Sequence, residues 1–510
     1  MRRVFCLIVC FLPLLAFGCD EHAPASPDDD TATGDDDADD DLDDDASPPA
    51  PNVIDFPADF LWGVSTSAYQ TEGGNDNSDF TQWMLRLRHK DLCGMAADSY
   101  DLYETDADLA RALGVNIYRL SIEWARIEPR QGQYDQAEIE HYRKVIEAIA
   151  TRGIKPMVTL HHFTNPEWVY EQGGWRNEET VASFVAYARL MARNYGDLVD
   201  YWLTINEPVI YAAGLCLMFG YPGGSINNFP CAAEVATNMT FAHARAYHAI
   251  KEVDATDADG DGESAVVSLA QAIVPGYPRR PENAGDIESA RLYDYFMNKM
   301  IFRELTTGEL DANGDGDTTD DGDGYFAELA GTLDFLGVNF YNSIKVLHVP
   351  LIFGPVQGVP CFPQADFICY PHGRPPYLHG DNGNPIEPDE FRRLLLDYAG
   401  EFPMPIIVTE NGVATTDGYL RSWYIIEHLK ALRGALDDGA DVRGYMHWSL
   451  IDNFEWLMAY TVRFGLYRVD FKTFERSPTE GSETYAAIVH AGGVSQELLD
   501  KYAETPATDD

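Results

Sequence analysis

The chain is predicted to fold as one α/β domain, a single (β/α)8 TIM barrel with loop insertions, preceded by a disordered Asp-rich tether. Three observations predict it. Between about residues 52 and 491, short apolar, β-branched runs recur eight times with amphipathic stretches between them. That is the pattern of βα units feeding a parallel sheet. Seven of the eight runs stop at polar or aromatic residues, and barrels of this kind place their chemistry where strands end. No Gly-rich phosphate turn follows an early run, since Phe60-Leu-Trp-Gly63 leads into Val64-Ser-Thr-Ser67. A doubly wound sheet would want GxGxxG there.

In chain order, Met1-Arg2-Arg3 is a short positive region and Val4 to Phe17 an apolar run broken by Pro13. The run is too short to span a bilayer, so residues 1–18 read as a signal peptide. It ends in Ala16-Phe17-Gly18-Cys19, which resembles a bacterial lipobox with Cys19 as the lipidated residue. Phe17 departs from the small residue usual there, and an ordinary secretory signal with an incidental Cys is the alternative. Residues 20–50 hold 13 Asp and 1 Glu with no Lys or Arg. Such a segment repels itself and has nothing to bury, so 19–51 is expected to be an extended tether. The expected location is that of an exported bacterial lipoprotein, anchored in the periplasm or at the cell surface. Discounting those acids takes the formal net charge from -47 to -33. A chain this acidic excludes a broad nucleic-acid footprint and a basic membrane helix. Membrane contact is expected only through the lipid.

The eight runs are Phe60–Gln70, Ile117–Trp124, Lys155–His162, Tyr201–Pro208, Ser264–Gln271, Asp334–Tyr341, Pro405–Gly412 and Val442–Leu450. Helical stretches such as Ala137–Arg152, Glu179–Tyr195 and Leu420–Asp438 separate them. Residues 52–491 are assigned to the catalytic domain and 492–510 to a C-terminal tail. After signal removal, Cys216 with Cys231 and Cys361 with Cys369 form local pairs in loop-like sequence, and Cys93 is left over. Export permits disulfides. No CxxC or Cys/His spacing points to a metal.

The run ends carry Gln70, Arg119, His161–His162, Asn206–Glu207, Asn339 with Tyr341, Glu410–Asn411 and Trp448. Glu207 in Thr204-Ile-Asn-Glu-Pro208 and Glu410 in Thr409-Glu-Asn-Gly412 end the fourth and seventh runs, which can aim both into one barrel mouth. Two carboxylates facing one cleft are what glycosidic bond cleavage requires. One must hold a proton and the other must be ionised, so their surroundings must differ. Two Glu residues capping the following helices are the structural alternative.

Here the chain resembles glycoside hydrolase family 1, the β-glucosidase and β-galactosidase family, from about Phe56 to Ala487. The resemblance lies in Phe56-Pro-Ala-Asp-Phe-Leu-Trp-Gly63, Ala68-Tyr-Gln-Thr-Glu-Gly73, Tyr118-Arg-Leu-Ser-Ile-Glu-Trp-Ala-Arg-Ile127 and Thr159-Leu-His-His-Phe163. Further on it lies in Asn206-Glu-Pro208, Gly337-Val-Asn-Phe-Tyr341, Thr409-Glu-Asn-Gly412, Trp448-Ser-Leu-Ile-Asp-Asn-Phe-Glu-Trp456 and Arg463-Phe-Gly-Leu466. It implies Glu207 as general acid/base, Glu410 as nucleophile and Asn206 as the ligand of the sugar 2-hydroxyl. Arg119 and Tyr341 would touch the nucleophile. Gln70, His162, Glu455 and Trp456 would hold glycone hydroxyls, Asn339 would support the site, and Trp448 would be the sugar's platform. The implied reaction retains configuration through a glycosyl-enzyme ester, with carboxyls about 5–5.5 Å apart. It calls for no metal or organic cofactor, and its partner is a small β-glycoside.

Relatives acting on 6-phosphoglycosides replace the Glu-Trp pair, and the charge of Glu455 is expected to repel a phosphate. A non-phosphorylated glycone, glucose first, is therefore expected. Where the family usually has Tyr-His-Trp-Asp, this chain has His161-His162-Phe163-Thr164. Transglycosylation through the same intermediate is the alternative reaction, and a catalytically idle carbohydrate-binding lipoprotein the alternative role. Asp257-Ala-Asp-Gly-Asp-Gly262 and Asp311-Ala-Asn-Gly-Asp-Gly316 match the first half of an EF-hand loop. Structural calcium is the candidate ligand for both and a solvated acidic turn the alternative, because the twelfth positions are Ser268 and Gly322.

Overall fold

The structure, a computed structural model, describes residues 52–507 except 88–91, 222–223, 364–365 and 372–373. The signal segment, Cys19 and the acidic tether lie outside the described residues.

All eight apolar runs form strands. They are β1 (Leu61–Ser65), β2 (Ile117–Ser121), β3 (Lys155–His161), β4 (Tyr201–Asn206), β5 (Val266–Ala272), β6 (Leu336–Asn339), β7 (Ile406–Asn411) and β8 (Val442–Trp448). Every strand pairs in parallel with the next, and β8 pairs with β1, so the sheet closes. Their side chains are buried on both faces, which is why these runs read as continuous rather than alternating. The intervening helices follow the expected stretches and begin at capping residues. Asp135 accepts the amides of Ala137 and Glu138 at the start of Gln136–Ala150. Asn177 caps Glu178–Tyr195, and Asp417 caps Gly418–Asp437.

Inside the barrel, Leu61, Ile117, Met157, Leu203, Ala270, Phe335, Ile407 and Met446 form one apolar layer with a contribution from each strand or its first flank. A side chain on Gly63 would meet Met446 and Ile117 at 2.7 and 2.8 Å, so this layer has no room for another carbon. A second, larger core lies between strands and helices.

Two expectations are corrected. The first run stops being a strand at Ser65, and Gln70 lies on the one-turn helix Ala68–Thr71. Ser67 starts that turn, because Ala68 N–H is taken by the Ser121 hydroxyl of β2 at 2.7 Å instead of by a neighbouring strand. Residues past Ala491 are not a tail. Gly493–Ser495 pairs antiparallel with Asn52–Asp55, and Gln496–Lys501 is a helix capped by Ser495. This pairing joins the first and last strands of the barrel domain.

The local cysteine pairs are disulfides, Cys216–Cys231 in the loop after β4 and Cys361–Cys369 in the loop after β6, each with Cα atoms 5.7 Å apart. Cys93 is free and buried.

Candidate active site

The polar strand ends converge. Glu207 follows β4, where the backbone turns left-handed (φ 48°, ψ 56°) before the helix Pro208–Ala213. A non-glycine residue in that region is held there by its surroundings. The Glu207 amide donates to the Ala270 carbonyl of β5 at 2.6 Å, which fixes the turn. Glu410 lies within β7, opposite Asn339 of β6 in the register. Gly412 follows it because a side chain there would overlap the Trp448 carbonyl, so only glycine lets β7 and β8 end side by side.

The two carboxyls have different neighbours. Glu410 Oε1 accepts from Arg119 Nη1 at 2.5 Å, and Oε2 accepts from the Tyr341 hydroxyl at 2.7 Å. Arg119 is fully buried and is spent on this site. Its Nη2 donates to Asn206 Oδ1 at 2.6 Å and its Nε to Thr159 Oγ1 at 3.1 Å. Glu207 receives one neutral donor, Asn339 Nδ2, at 2.7 Å. Burial, then the charge of Glu410, push the Glu207 carboxyl up to about 8. Asn339 also donates to Asn206 at 3.1 Å and accepts the Thr409 hydroxyl at 2.7 Å, so it is clamped on both sides. A continuous path of hydrogen bonds thus runs Glu410–Arg119–Asn206–Asn339–Glu207.

A second group faces the same mouth from the loops after β1 and β8. Gln70 Nε2 donates to Asn453 Oδ1 at 3.1 Å and Glu455 Oε2 at 3.3 Å, while its own carbonyl oxygen takes the Ser67 hydroxyl. His162 lies between two near-parallel indoles, Trp448 (5.9 Å, 12°) and Trp456 (6.2 Å, 8°). Burial holds its imidazole well below the ordinary histidine range, so the ring is neutral. Its Nδ1 has no hydrogen-bond partner among the described residues. Tyr69 stacks on the far side of Trp456 (5.7 Å, 5°), and Phe163 meets Trp456 edge-on (5.1 Å, 84°). Arg421 braces the two flanking loops by donating to the carbonyls of Thr415, Arg463 and Gly465.

Gln70, Arg119, His162, Asn206, Asn339, Tyr341, Trp448, Glu455 and Trp456 thus share one set of contacts with Glu207 and Glu410, whereas His161 and Asn411 bond away from it, to Asn165 and to Tyr424. One property differs from expectation. Burial, then the charge of Glu410, push Glu455 up to about 8 as well, which weakens the charge expected to repel a phosphate. Four supporting groups were not assigned roles: Ser67, Thr159, Thr409 and Asn453. Thr409 directly precedes Glu410, Asn453 lies two residues before Glu455, and Ser67 and Thr159 lie three residues before Gln70 and His162, so nearness in sequence was the available signal.

The first acidic insert lies at the other end of the barrel, just before β5, whereas the second packs beside Phe296 and Phe229. Oxygens of Asp200, Asp257 and Asp259 come within 4.8 Å of one another, a spacing a hard cation can use. Lys155 Nζ already pairs with Asp259 and Asp261 there. In the second insert, Asp311 caps the amides of Gly314, Asp315 and Gly316 and takes the Tyr295 hydroxyl.

A closed (β/α)8 barrel whose mouth holds two linked carboxyls in contrasting surroundings, walled by indoles and amides, is a glycoside hydrolase. The chain belongs to glycosyl hydrolase family 1, whose profile matches residues 53–494. It is 33% identical to a β-galactosidase of Pyrococcus woesei, over 87% of this chain and 98% of the relative. It is 31% identical to a 6-phospho-β-galactosidase of Staphylococcus aureus, over 85% and 97%. The family 1 β-glucosidase structure from Thermotoga maritima superposes with a TM-score of 0.75 at 27% identity, covering 87% of this chain and all of that one. The protein is thus a retaining β-glycosidase of family 1.

Proposed function

We propose that the protein is an exo-acting β-glycosidase that hydrolyses non-phosphorylated β-glucosides, with Glu410 as nucleophile and Glu207 as general acid/base. The contrast between the two carboxyls carries this reading. Arg119 and Tyr341 both donate to Glu410, and such contacts favour the charged, attacking form. Glu207, buried with one amide, keeps its proton at neutral pH and can deliver it to the leaving oxygen. As the glycosyl ester forms on Glu410, Glu207 becomes the base that draws a proton from water in the second step. Asn206, held by Arg119 and Asn339, is placed to meet the 2-hydroxyl. Gln70, His162, Glu455 and Trp456 supply the remaining glycone contacts over Trp448. This chemistry runs on side chains alone.

Support for a non-phosphorylated sugar comes from the surroundings of Glu455 rather than from its charge. Among the described residues Glu455 has Gln70 as its side-chain hydrogen-bond partner and no ion pair. A phosphate would need a cation at that place. A sugar alcohol reaching the intermediate in place of water would give transglycosylation on the same residues. Export as a lipoprotein through Cys19 is part of the reading, supported by the sequence Ala16-Phe17-Gly18-Cys19 and by the two disulfides. Labelling with a radioactive fatty acid, lost in Cys19→Ala, tests that part.

The deciding experiment offers aryl β-glucoside, β-galactoside, β-fucoside, 6-phospho-β-galactoside and an α-glucoside, following the first-released anomer by proton NMR. We expect β-glucoside cleavage with the β-anomer first. Release of the inverted sugar would remove Glu410 from its role. Preference for the phosphorylated sugar would overturn the glycone assignment.

A further inference from the structure

Strand β7 is irregular at one residue, Thr409. Val338 of β6 faces Val408, but the next residue, Asn339, faces Glu410. On the other side Tyr445 of β8 faces Val408 and His447 faces Asn411. Between Val408 and the mouth, β7 carries one residue more than either neighbour, and Thr409 is that residue. Side chains on a regular strand point alternately to opposite faces. A bulge re-aims them, and here it lets Thr409 and Glu410, adjacent in sequence, both reach the polar cluster of the mouth. The Thr409 carbonyl is held from across the barrel by the Ser65 hydroxyl at 2.7 Å and by Arg119 Nη1 at 3.2 Å.

Among the described residues the Thr409 hydroxyl has one partner. It donates to Asn339 Oδ1 at 2.7 Å, and both residues are fully buried. The other end of that amide, Nδ2, donates to Glu207 and to Asn206 Oδ1. Arg119 has only donors, so its bond to Asn206 fixes which end of that amide is the oxygen. Asn206 in turn requires the nitrogen end of Asn339. The Asn339 amide is therefore held in one orientation, by acceptors at its nitrogen and a hydroxyl at its oxygen. Without the hydroxyl its oxygen would be a buried acceptor lacking a donor, which is costly. Along the path from Glu410 to Glu207, the proton left to satisfy it is that of Glu207.

We propose that Thr409 is a positioning residue of the reaction: its hydroxyl takes up the Asn339 carbonyl, so that the amide offers Glu207 donors only and thereby sets how readily Glu207 gives up its proton. This rests on the reading of Glu207 as general acid/base. The charged and titratable groups acting on Glu207 are Glu410 of β7, Arg119 of β2, Glu455 after β8 and Tyr341 after β6. His162, reached through Asn206, is neutral. Thr409→Val removes none of them and keeps the branched shape that β7 packs. A moved pH limb therefore reports the Asn339 amide.

The test follows kcat/KM of the full chain against pH on an alkyl β-glucoside, whose leaving group needs the proton. In Thr409→Val the alkaline limb is expected about 0.5–1 pH unit higher, the size of one disturbed hydrogen bond. Thr409→Ser restores it. In an Asn339→Ala background Thr409→Val adds no shift, because the amide through which it acts is gone. Melting curves check each variant, and Thr409→Ala, judged by the same outcomes, replaces the Val variant if that one does not melt cooperatively. A limb that stays in place, or one that shifts equally in the Asn339→Ala background, overturns the proposal and leaves the glycosidase reading intact. A fall in kcat/KM at every pH that Thr409→Ser does not restore, with the limb unmoved, assigns Thr409 to packing and also overturns it. Glu207→Gln separates the two readings: a limb that persists without the Glu207 carboxyl takes down the acid/base assignment itself.

Discussion

At the mouth of the barrel polar side chains are buried and apolar ones exposed; at the foot of the same eight strands the arrangement is reversed. The foot is filled by one apolar layer, from Leu61 round to Met446, and its outer turns are acidic, as at Asp257–Gly262. The mouth buries Arg119, Asn206, Glu207 and Glu410 while Leu351 and Phe219 stand in water. The difference teaches where stability resides. Raised carboxyls, an unpartnered imidazole nitrogen and a left-handed glutamate are each unfavourable to the fold. They persist because the layer below is packed without space. Stability at one end and chemistry at the other is the general division of labour in this fold.

That division can be broken at either end. The largest effect is expected from Glu410→Gln, a loss of about 10⁴–10⁶ in kcat, as for other removed nucleophiles, read with aryl β-glucoside. Glu207→Gln is expected to lose about 10²–10⁴ on alkyl glucosides and much less on an activated aryl leaving group that needs no proton. It should also alter stability in a pH-dependent way. A carboxyl held at about 8 in the fold against an ordinary 4.5 makes stability fall as pH rises from about 4.5 to about 8. Gln removes that loss, so its melting temperature relative to wild type is higher at pH 8 than at pH 5.

At the foot, Met446→Ala is expected to destabilise by about 2–5 kcal/mol, read by denaturant unfolding, while kcat/KM at low temperature is preserved. A comparable loss of activity would mean that the two ends are not separable. Activity should fall on the alkaline side as Glu207 loses its proton near 8. Asn339 stabilises the carboxylate by its hydrogen bond, so Asn339→Ala should move that limb upward, and a downward move would contradict the geometry. Smallest is Tyr325→Ser, an exposed side chain, expected within about 0.5 kcal/mol of wild type by denaturant unfolding and without effect on kcat/KM.

The barrel itself was legible because each strand is buried on two faces and so writes itself as an unbroken apolar run. The carboxyls were legible because both sit at strand ends. The limit appears at Gln70, where Ser65-Thr-Ser67 continues a β-like composition but Ser121 captures the Ala68 amide and turns the chain. A contact across 53 positions leaves no local trace. The pairing of 493–495 with 52–55 was invisible for the same reason. Nor could a string of letters show that the Glu455 carboxyl, like that of Glu207, is pushed up. That follows from sharing a buried mouth with Glu410.

The antiparallel pair formed by Asn52–Asp55 and Gly493–Ser495 has a consequence for chain connectivity. The opening strand of the folded domain is hydrogen-bonded to a strand followed by a single described helix, Gln496–Lys501, so the domain is a ring lacking one short arc. A short linker across that arc and a new opening at the exposed turn around Gly132 would give a circularly permuted enzyme that keeps every barrel pairing.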